Sequence, residues 1–165
     1  MSGTLVLGLG NPLMGDDGVG LAALAGLKAE YEFPRDVRLV DGGTWGMNLL
    51  PLIESAERVI LLDAIDTAAP PGTLTVLERH ELPKYFSHKI SPHQIDLREV
   101  LALAEWRHTL PAEFVALGIQ PERVEMGMGL SPSVERALEA LVTLTATRLA
   151  EYGLSCHRRR AGAHA

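Results

Sequence analysis

Apolar residues along this chain gather into short continuous runs that alternate with longer stretches at helical spacing, which predicts an α/β arrangement. Thr4 to Leu9 (TLVLGL) is an unbroken apolar run ending in a glycine, as expected of a buried first strand. After the loop Gly10 to Asp17, residues Gly18 to about Tyr31 are rich in Ala and Leu and predict a helix. Val37 to Val40 predicts a second strand closed by Asp41-Gly42-Gly43, followed by a short helix from about Gly46 to Ser55. Arg58 to Asp63 (RVILLD) predicts a third strand, central because it is apolar on both faces.

The connection after it carries topological information. Ala64 to Gly72 contains Pro70-Pro71-Gly72 and is too short and broken for a helix. Parallel neighbours need a crossover of about a dozen residues, so the fourth strand, Thr73 to Leu77, is expected to run antiparallel to the third. A long loop with Pro83 and Pro92 precedes a helix from about His93 to Glu105, whose Leu97, Val100, Leu101 and Ala104 share one face. Phe114 to Ile119 predicts a fifth strand, and Ser131-Pro132 opens a final helix with Ser as N-cap and Pro at the first helical position. The expectation is one domain over residues 1–153, with a mixed sheet of about five strands between helical layers, and a frayed tail over 154–165.

Composition supports a single core. The chain has 165 residues, 47% of them hydrophobic and 22% charged. Its formal net charge of −6 argues against nucleic acid, which needs a basic face; the cluster Arg158-Arg159-Arg160 falls in the predicted tail. No apolar run approaches the roughly 20 residues that cross a bilayer, and the N-terminus has no secretory pattern. A soluble, cytoplasmic protein without membrane contact is therefore expected. The single cysteine, Cys156, cannot close an internal disulfide, which fits a reducing compartment.

Ligands of open α/β sheets bind beyond the carboxyl ends of the strands. That rule selects Gly10 to Asp17, Asp41 to Gly46 and Asp63 to Thr67, all of which carry carboxylates. Gly8-Leu9-Gly10 begins a dinucleotide pattern, but Leu13 occupies the place of its third glycine. Of Asp16 and Asp17, one is expected to cap the first helix; the other is then spare, and adjacent carboxylates repel unless a cation offsets them. Asp63 ends an apolar strand and must be paired, protonated, metal-bound or hydrogen-bonded to loop amides, whereas Asp66 reads as a solvated loop residue. His93 follows Ser91-Pro92 in a first helical turn, where the helix dipole is expected to keep the imidazole neutral, as a metal ligand or a base requires. A first-turn residue is also expected to carry little core burial. His80 and His88 flank the same loop and are further candidates; His108, His157 and His164 read as surface residues. Gly-x-Ser-x-Gly, His-Glu-x-x-His and reactive-cysteine patterns do not occur in the sequence. Two carboxylates and an imidazole would suit a divalent first-row metal with open positions.

Taken together, Gly8-Leu9-Gly10-Asn11-Pro12-Leu13-Met14-Gly15-Asp16-Asp17-Gly18, Asp41-Gly42-Gly43-Thr44, Leu62-Asp63-Ala64-Ile65, Lys89-Ile90-Ser91-Pro92-His93-Gln94 and Gly118-Ile119-Gln120-Pro121 resemble, in order and spacing, the nickel-iron hydrogenase maturation endopeptidases. The resemblance spans residues 4 to about 150, and its Lys-Ile-Ser-Pro-His-Gln segment is the most specific part. It implies a three-layer α/β/α sandwich of the phosphorylase/hydrolase-like kind with a mixed five-stranded sheet. It implies metal-contacting and catalytic roles for Asp17, Asp63 and His93, and a secondary substrate-binding role for Asp41, Gly42 and Gly43. Many members carry Glu where Asp17 stands, the same carboxylate on a longer arm. It further implies that nickel is not a resident cofactor but arrives in the large-subunit precursor, whose C-terminal extension a monomeric enzyme then removes. Gly8 to Pro12 also begins bacterial peptidyl-tRNA hydrolases, but the Thr-Arg-His-Asn segment of that family is missing. A nickel-dependent checkpoint protein that binds without cutting would keep the same residues.

Overall fold

The structure, a computed structural model, describes residues 3–43, 45–87 and 92–160. Five strands form one sheet: β1 (Thr4–Leu9), β3 (Val37–Gly43), β4 (Arg58–Ala64), β5 (Leu74–Glu78) and β6 (Glu113–Ile119). A two-stranded ribbon adds β2 (Tyr31–Glu32) and β7 (His157–Arg158). Four α-helices accompany them: α1 (Val19–Glu30), α2 (Leu49–Ser55), α3 (Pro92–Trp106) and α4 (Pro132–Glu151).

Alternation along the strands divides the core in two. Leu5, Leu7, Val59, Leu61 and Phe114 face α2 and α3. Val6, Ile60, Leu62, Val115 and Leu117 face α1 and α4. Both faces are apolar because helices cover both, the three-layer arrangement expected. None of the described helices is long and apolar enough to cross a membrane.

The sheet order is β3-β1-β4-β6-β5, with β5 antiparallel to β6 and the other pairs parallel. The fourth strand of the main sheet thus has the expected direction relative to the third, but it is not its neighbour: β6 lies between them. The physical reason is reach. Residues 65–73 separate β4 from β5; extended chain covers about 3.3 Å per residue, and skipping one strand needs only about 10 Å. Bonds from Ile65 N to Ile119 O and from Gln120 N to Thr73 O pin that connection across the end of β6.

Three further departures have local causes. The loop expected around Pro83 is a 3-10 helix, Arg79–Phe86, opened by a reciprocal capping box between Glu78 and Glu81; the tighter helix tolerates the proline that an α-helix would not. β3 continues through Asp41, Gly42 and Gly43 instead of ending before them, because Gly42 lets Leu7, Leu9 and Leu49 close over the strand. The segment expected to fray is paired in its described part: His157 and Arg158 bond with Glu32 and Tyr31, Arg158 stacks on the Tyr31 ring, and Arg159 N donates to Glu30 O. Thr44, His88, Lys89, Ile90, Ser91 and His164 lie outside the described residues.

α1 crosses the sheet at backbone contact. A Cβ on Gly20 would lie 2.1 Å from Leu62 O and 2.6 Å from Leu9 O. Gly20→Ala is therefore expected to destabilise the protein by about 1–3 kcal/mol, lowering Tm by roughly 3–10 °C in a calorimetric melt. An unchanged Tm would show that α1 sits further from the strands.

Candidate functional site

The carboxyl ends of β1 and β4 and the first turn of α3 converge on three ionisable side chains. Asp63 shares the strand face of Val59 and Leu61, so it points toward α3 and not toward α1. It is 0% exposed, Asp17 is 3% exposed and His93 is 6% exposed. One ligand atom from each lies within 4.8 Å of the others, and no other such cluster occurs among the described residues. His93 Nε2 is 2.9 Å from Asp63 Oδ2, and His93 Nδ1 is 3.5 Å from Asp17 Oδ2.

Each member is held by neighbours that leave little freedom. Ala64 N donates to Asp63 Oδ1 at 2.8 Å. Asp63 Oδ2 accepts the Tyr85 hydroxyl and, at 3.1 Å, Gln94 Nε2, which also donates to Ala64 O at 3.0 Å. Asn11 N donates to Asp17 Oδ2 at 2.9 Å. Gly10 makes room for this approach: at its φ of +125°, a Cβ would fall 1.9 Å from Asp17 O. A Cβ on Gly118 would likewise fall 2.3 Å from Asp63 O.

The electrostatics correct one expectation. Burial works against a charged His93, but the carboxylates of Asp63 and Asp17 outweigh it and raise its pKa to about 10. Without a metal the ring is therefore imidazolium at neutral pH, and the helix dipole does not keep it neutral. Burial raises the Asp63 pKa despite the opposing pull of His93 and the Tyr85 hydrogen bond. Burial, with the Asp63 charge beside it, holds Tyr85 well above its ordinary value, so it remains a donor. The donor chemistry fits a divalent cation. Donors about 2.1 Å from one ion lie up to about 4.2 Å apart, so the observed spacing needs only sub-ångström settling. Binding such an ion through one ring nitrogen would require that nitrogen to give up its proton.

Asp16 and Asp17 divide their work in an unforeseen way, since neither caps α1. Asp16 is fully buried and turns away from the cluster. It accepts Glu122 N and Arg123 N at 2.9 Å, Ser131 N at 2.7 Å and Ser131 Oγ at 2.8 Å. Ser131 does occupy the N-cap position of α4, yet its hydroxyl serves Asp16. Burial disfavours the Asp16 carboxylate, but these hydrogen bonds outweigh it and lower its pKa.

The other candidates fall elsewhere. His80 lies in a groove with Leu82, Phe86, Arg98 and Leu110, outside the cluster. Asp66 is half-buried and accepts Gln120 Nε2 at 2.9 Å. Asp41 is exposed, while Gly43 O accepts Gly10 N at 3.1 Å, next to Asn11, whose amide serves Asp17. Burial raises the Cys156 thiol, which leaves it a poor nucleophile. Sequence reasoning assigned no role to Tyr85 or Gln94. Gln94 had one detectable signal, a polar residue beside His93 at the start of an amphipathic helix; nothing in the spacing marks Tyr85.

A three-layer α/β/α fold with a buried carboxylate–imidazole cluster at its strand ends has the architecture of an α/β enzyme, with its candidate site where such sheets bind their ligands. Residues 22–148 match the family described as hydrogenase maturation protease, and the chain belongs to that family. It is 36% identical over 158 residues to the hydrogenase 2 maturation protease of Escherichia coli K12, covering 95% of this chain and 96% of that protein. It is 38% identical over 152 residues to the hydrogenase expression/formation protein HoxM of Azotobacter vinelandii, covering 91% and 73% respectively. The solved structure of the hydrogenase maturating endopeptidase HybD from Escherichia coli superposes with a TM-score of 0.90 at 35% identity, over 95% of this chain and 98% of that one.

The Asp16 clasp yields a pH prediction. Its folded pKa is depressed, so its stabilisation is present above the ordinary carboxylate range and is lost as pH falls through the folded value. Asp16→Asn is expected to cost about 1–3 kcal/mol near neutrality and to flatten this part of the acid dependence, as read from urea melts between pH 3 and pH 7. An unchanged midpoint at pH 7 would contradict the clasp.

Proposed function

We propose that the protein is the endopeptidase that removes the C-terminal extension from the large-subunit precursor of a nickel-iron hydrogenase, and that nickel already held by this substrate is what Asp17, Asp63 and His93 meet. The observation that carries the reading is the convergence of those three donors within 4.8 Å, beside two strand ends and a helix start. Three protein donors leave coordination positions open, which suits an ion that arrives with ligands of its own.

The protein's part in the reaction follows from its hydrogen bonds. Asp63 Oδ2 is already engaged by Tyr85, Gln94 and His93, so Asp63 is a fixed acceptor aimed at the cluster. Asp17 is less encumbered, with the Asn11 amide and His93 Nδ1 against its Oδ2, and is the better placed of the two as general base. The substrate nickel would supply Lewis acidity at the scissile carbonyl or serve as the recognition mark. The exposed Asp41, with Gly43, would contact the substrate beside the cleft, whereas Gly42 is buried beneath Leu7, Leu9 and Leu49 and serves the strand packing instead.

Incubation with nickel-loaded and nickel-free precursor, followed by mass spectrometry, tests the reading. Release of a C-terminal peptide from the loaded form alone is expected. Release from both forms would remove nickel from the mechanism, and tight binding without a mass change would favour a checkpoint protein. His93→Gln is a sounder variant than His93→Ala, because the ring is buried between two carboxylates and its full removal would leave them uncompensated. His93→Gln and Asp17→Asn are each expected to slow processing by at least about 100-fold with the circular dichroism spectrum retained. Wild-type rates in either variant would take that residue out of the site.

A further inference from the structure

Some exposed large apolar side chains, such as Trp106 and, on β5, Leu74 and Val76, lie apart from the cluster, but six others sit on segments that adjoin it. Leu13, Trp45, Met47, Ile95, Met126 and Met128 are all exposed, Met126 at 87% and Met128 at 80%, and each belongs to a segment that builds the mouth of the carboxylate–imidazole cluster. Leu13 stands four residues before Asp17, and Ile95 two residues after His93. Trp45 and Met47 flank Gly46, whose missing Cβ would lie 3.3 Å from Asp96 Oδ2 on the first turns of α3. Met126 and Met128 flank Gly127, which is bonded to the Asp17 loop from both sides: Gly127 N donates to Leu13 O and Gly127 O accepts Gly15 N, both at 2.9 Å. The Asp16 carboxylate fixes the two ends of that segment through Glu122, Arg123 and Ser131.

We propose that these side chains form an apolar collar that grips an uncharged, apolar stretch of the substrate on either side of its metal, with Met126 and Met128 as the adaptable part. The inference rests on the endopeptidase reading for the identity of the substrate. The cluster beneath is at most 6% exposed, so an ion held by the substrate would reach it only with the flanking substrate residues drawn up to the collar. Charge complementarity is satisfied at depth, where two carboxylates await a cation, and the rim calls for burial of apolar surface instead. Several large exposed apolar side chains on segments around one site are the kind of feature that marks an interaction surface. Methionine, unbranched and polarisable, suits a partner segment that is not yet in its final fold. The nearby charges Arg123 and Glu125 lie 3.8 Å apart and offset one another.

The test compares wild type with the double variants Met126→Gln/Met128→Gln and Met126→Leu/Met128→Leu, and with Trp106→Gln as a control. Gln keeps the side-chain length without its apolar character. Trp106 is 77% exposed at the far end of α3 and serves as a patch outside the collar. The Gln pair is expected to raise KM for nickel-loaded precursor about 10-fold, with kcat within about twofold of wild type. The Leu pair and Trp106→Gln are expected to retain the wild-type KM. An unchanged KM in the Gln pair, or an equal rise in Trp106→Gln, overturns the collar while leaving the endopeptidase reading standing. If the wild type binds precursor without cutting it, Kd replaces KM, and a 10-fold weakening in the Gln pair supports the collar although peptidase activity has failed. Absence of both binding and cutting by wild type overturns both.

Discussion

A carboxylate fully removed from water at the end of a central strand is an expensive thing to keep ionised, and the site is organised around that cost at Asp63. Desolvation alone would drive the group to its neutral form. Its surroundings answer with directed donors: the Ala64 amide on one oxygen, and the Tyr85 hydroxyl, the Gln94 amide and the His93 ring on the other. These donors come from separate parts of the chain, so satisfying one carboxylate requires β4, the 3-10 helix Arg79–Phe86 and α3 to be in register together. The second carboxylate, Asp17, then meets the far nitrogen of the same ring. What results is a compact site in which one imidazolium ring bridges two carboxylates.

The placement of Asp17 depends on its neighbour. In the 3-10 turn Gly15–Gly18, consecutive side chains diverge, so Asp16 points into the 122–131 segment while Asp17 faces the cluster. Four hydrogen bonds on Asp16 hold the two segments together, at positions separated by more than 100 residues in the chain. Charge-assisted bonds of this kind are strong because the alternative is a buried anion without partners. One acid thus acts as a fastening whose loss would shift the other.

Much of this was legible in the chain because strongly apolar runs and helical spacing survive tertiary context. The strand at Arg58, the helix with Leu97, Val100, Leu101 and Ala104, and the Ser131-Pro132 start all lie close to where the pattern puts them. Direction of β5 was legible from the broken connection; its neighbour was not, because a short link constrains reach but does not name the strand it crosses. The trio Asp17, Asp63 and His93 was marked by residue type and position, whereas Tyr85 was not, since the 3-10 helix that delivers it was hidden behind Pro83. The protonation of His93 was misjudged for a similar reason: a helix dipole is visible in sequence, but two carboxylates from distant segments are not, and at contact distance the carboxylates win.

The contrast between the depth of the cluster and the character of its rim bears on how such a site can be selective. Two carboxylates and an imidazole would attract many divalent ions, because affinity order among first-row metals is a property of the ions more than of the site. Geometry at depth can reject an empty substrate but cannot identify which protein carries the ion. An apolar collar around the entrance, as proposed, would supply the missing discrimination, since a free hydrated ion has nothing to bury there and a folded, closed subunit has nothing to insert. Charge recognised at the bottom and apolar shape recognised at the mouth must be presented by one partner together. If nickel is the recognition mark, as proposed, processing would require that coincidence, and neither layer would deliver it alone.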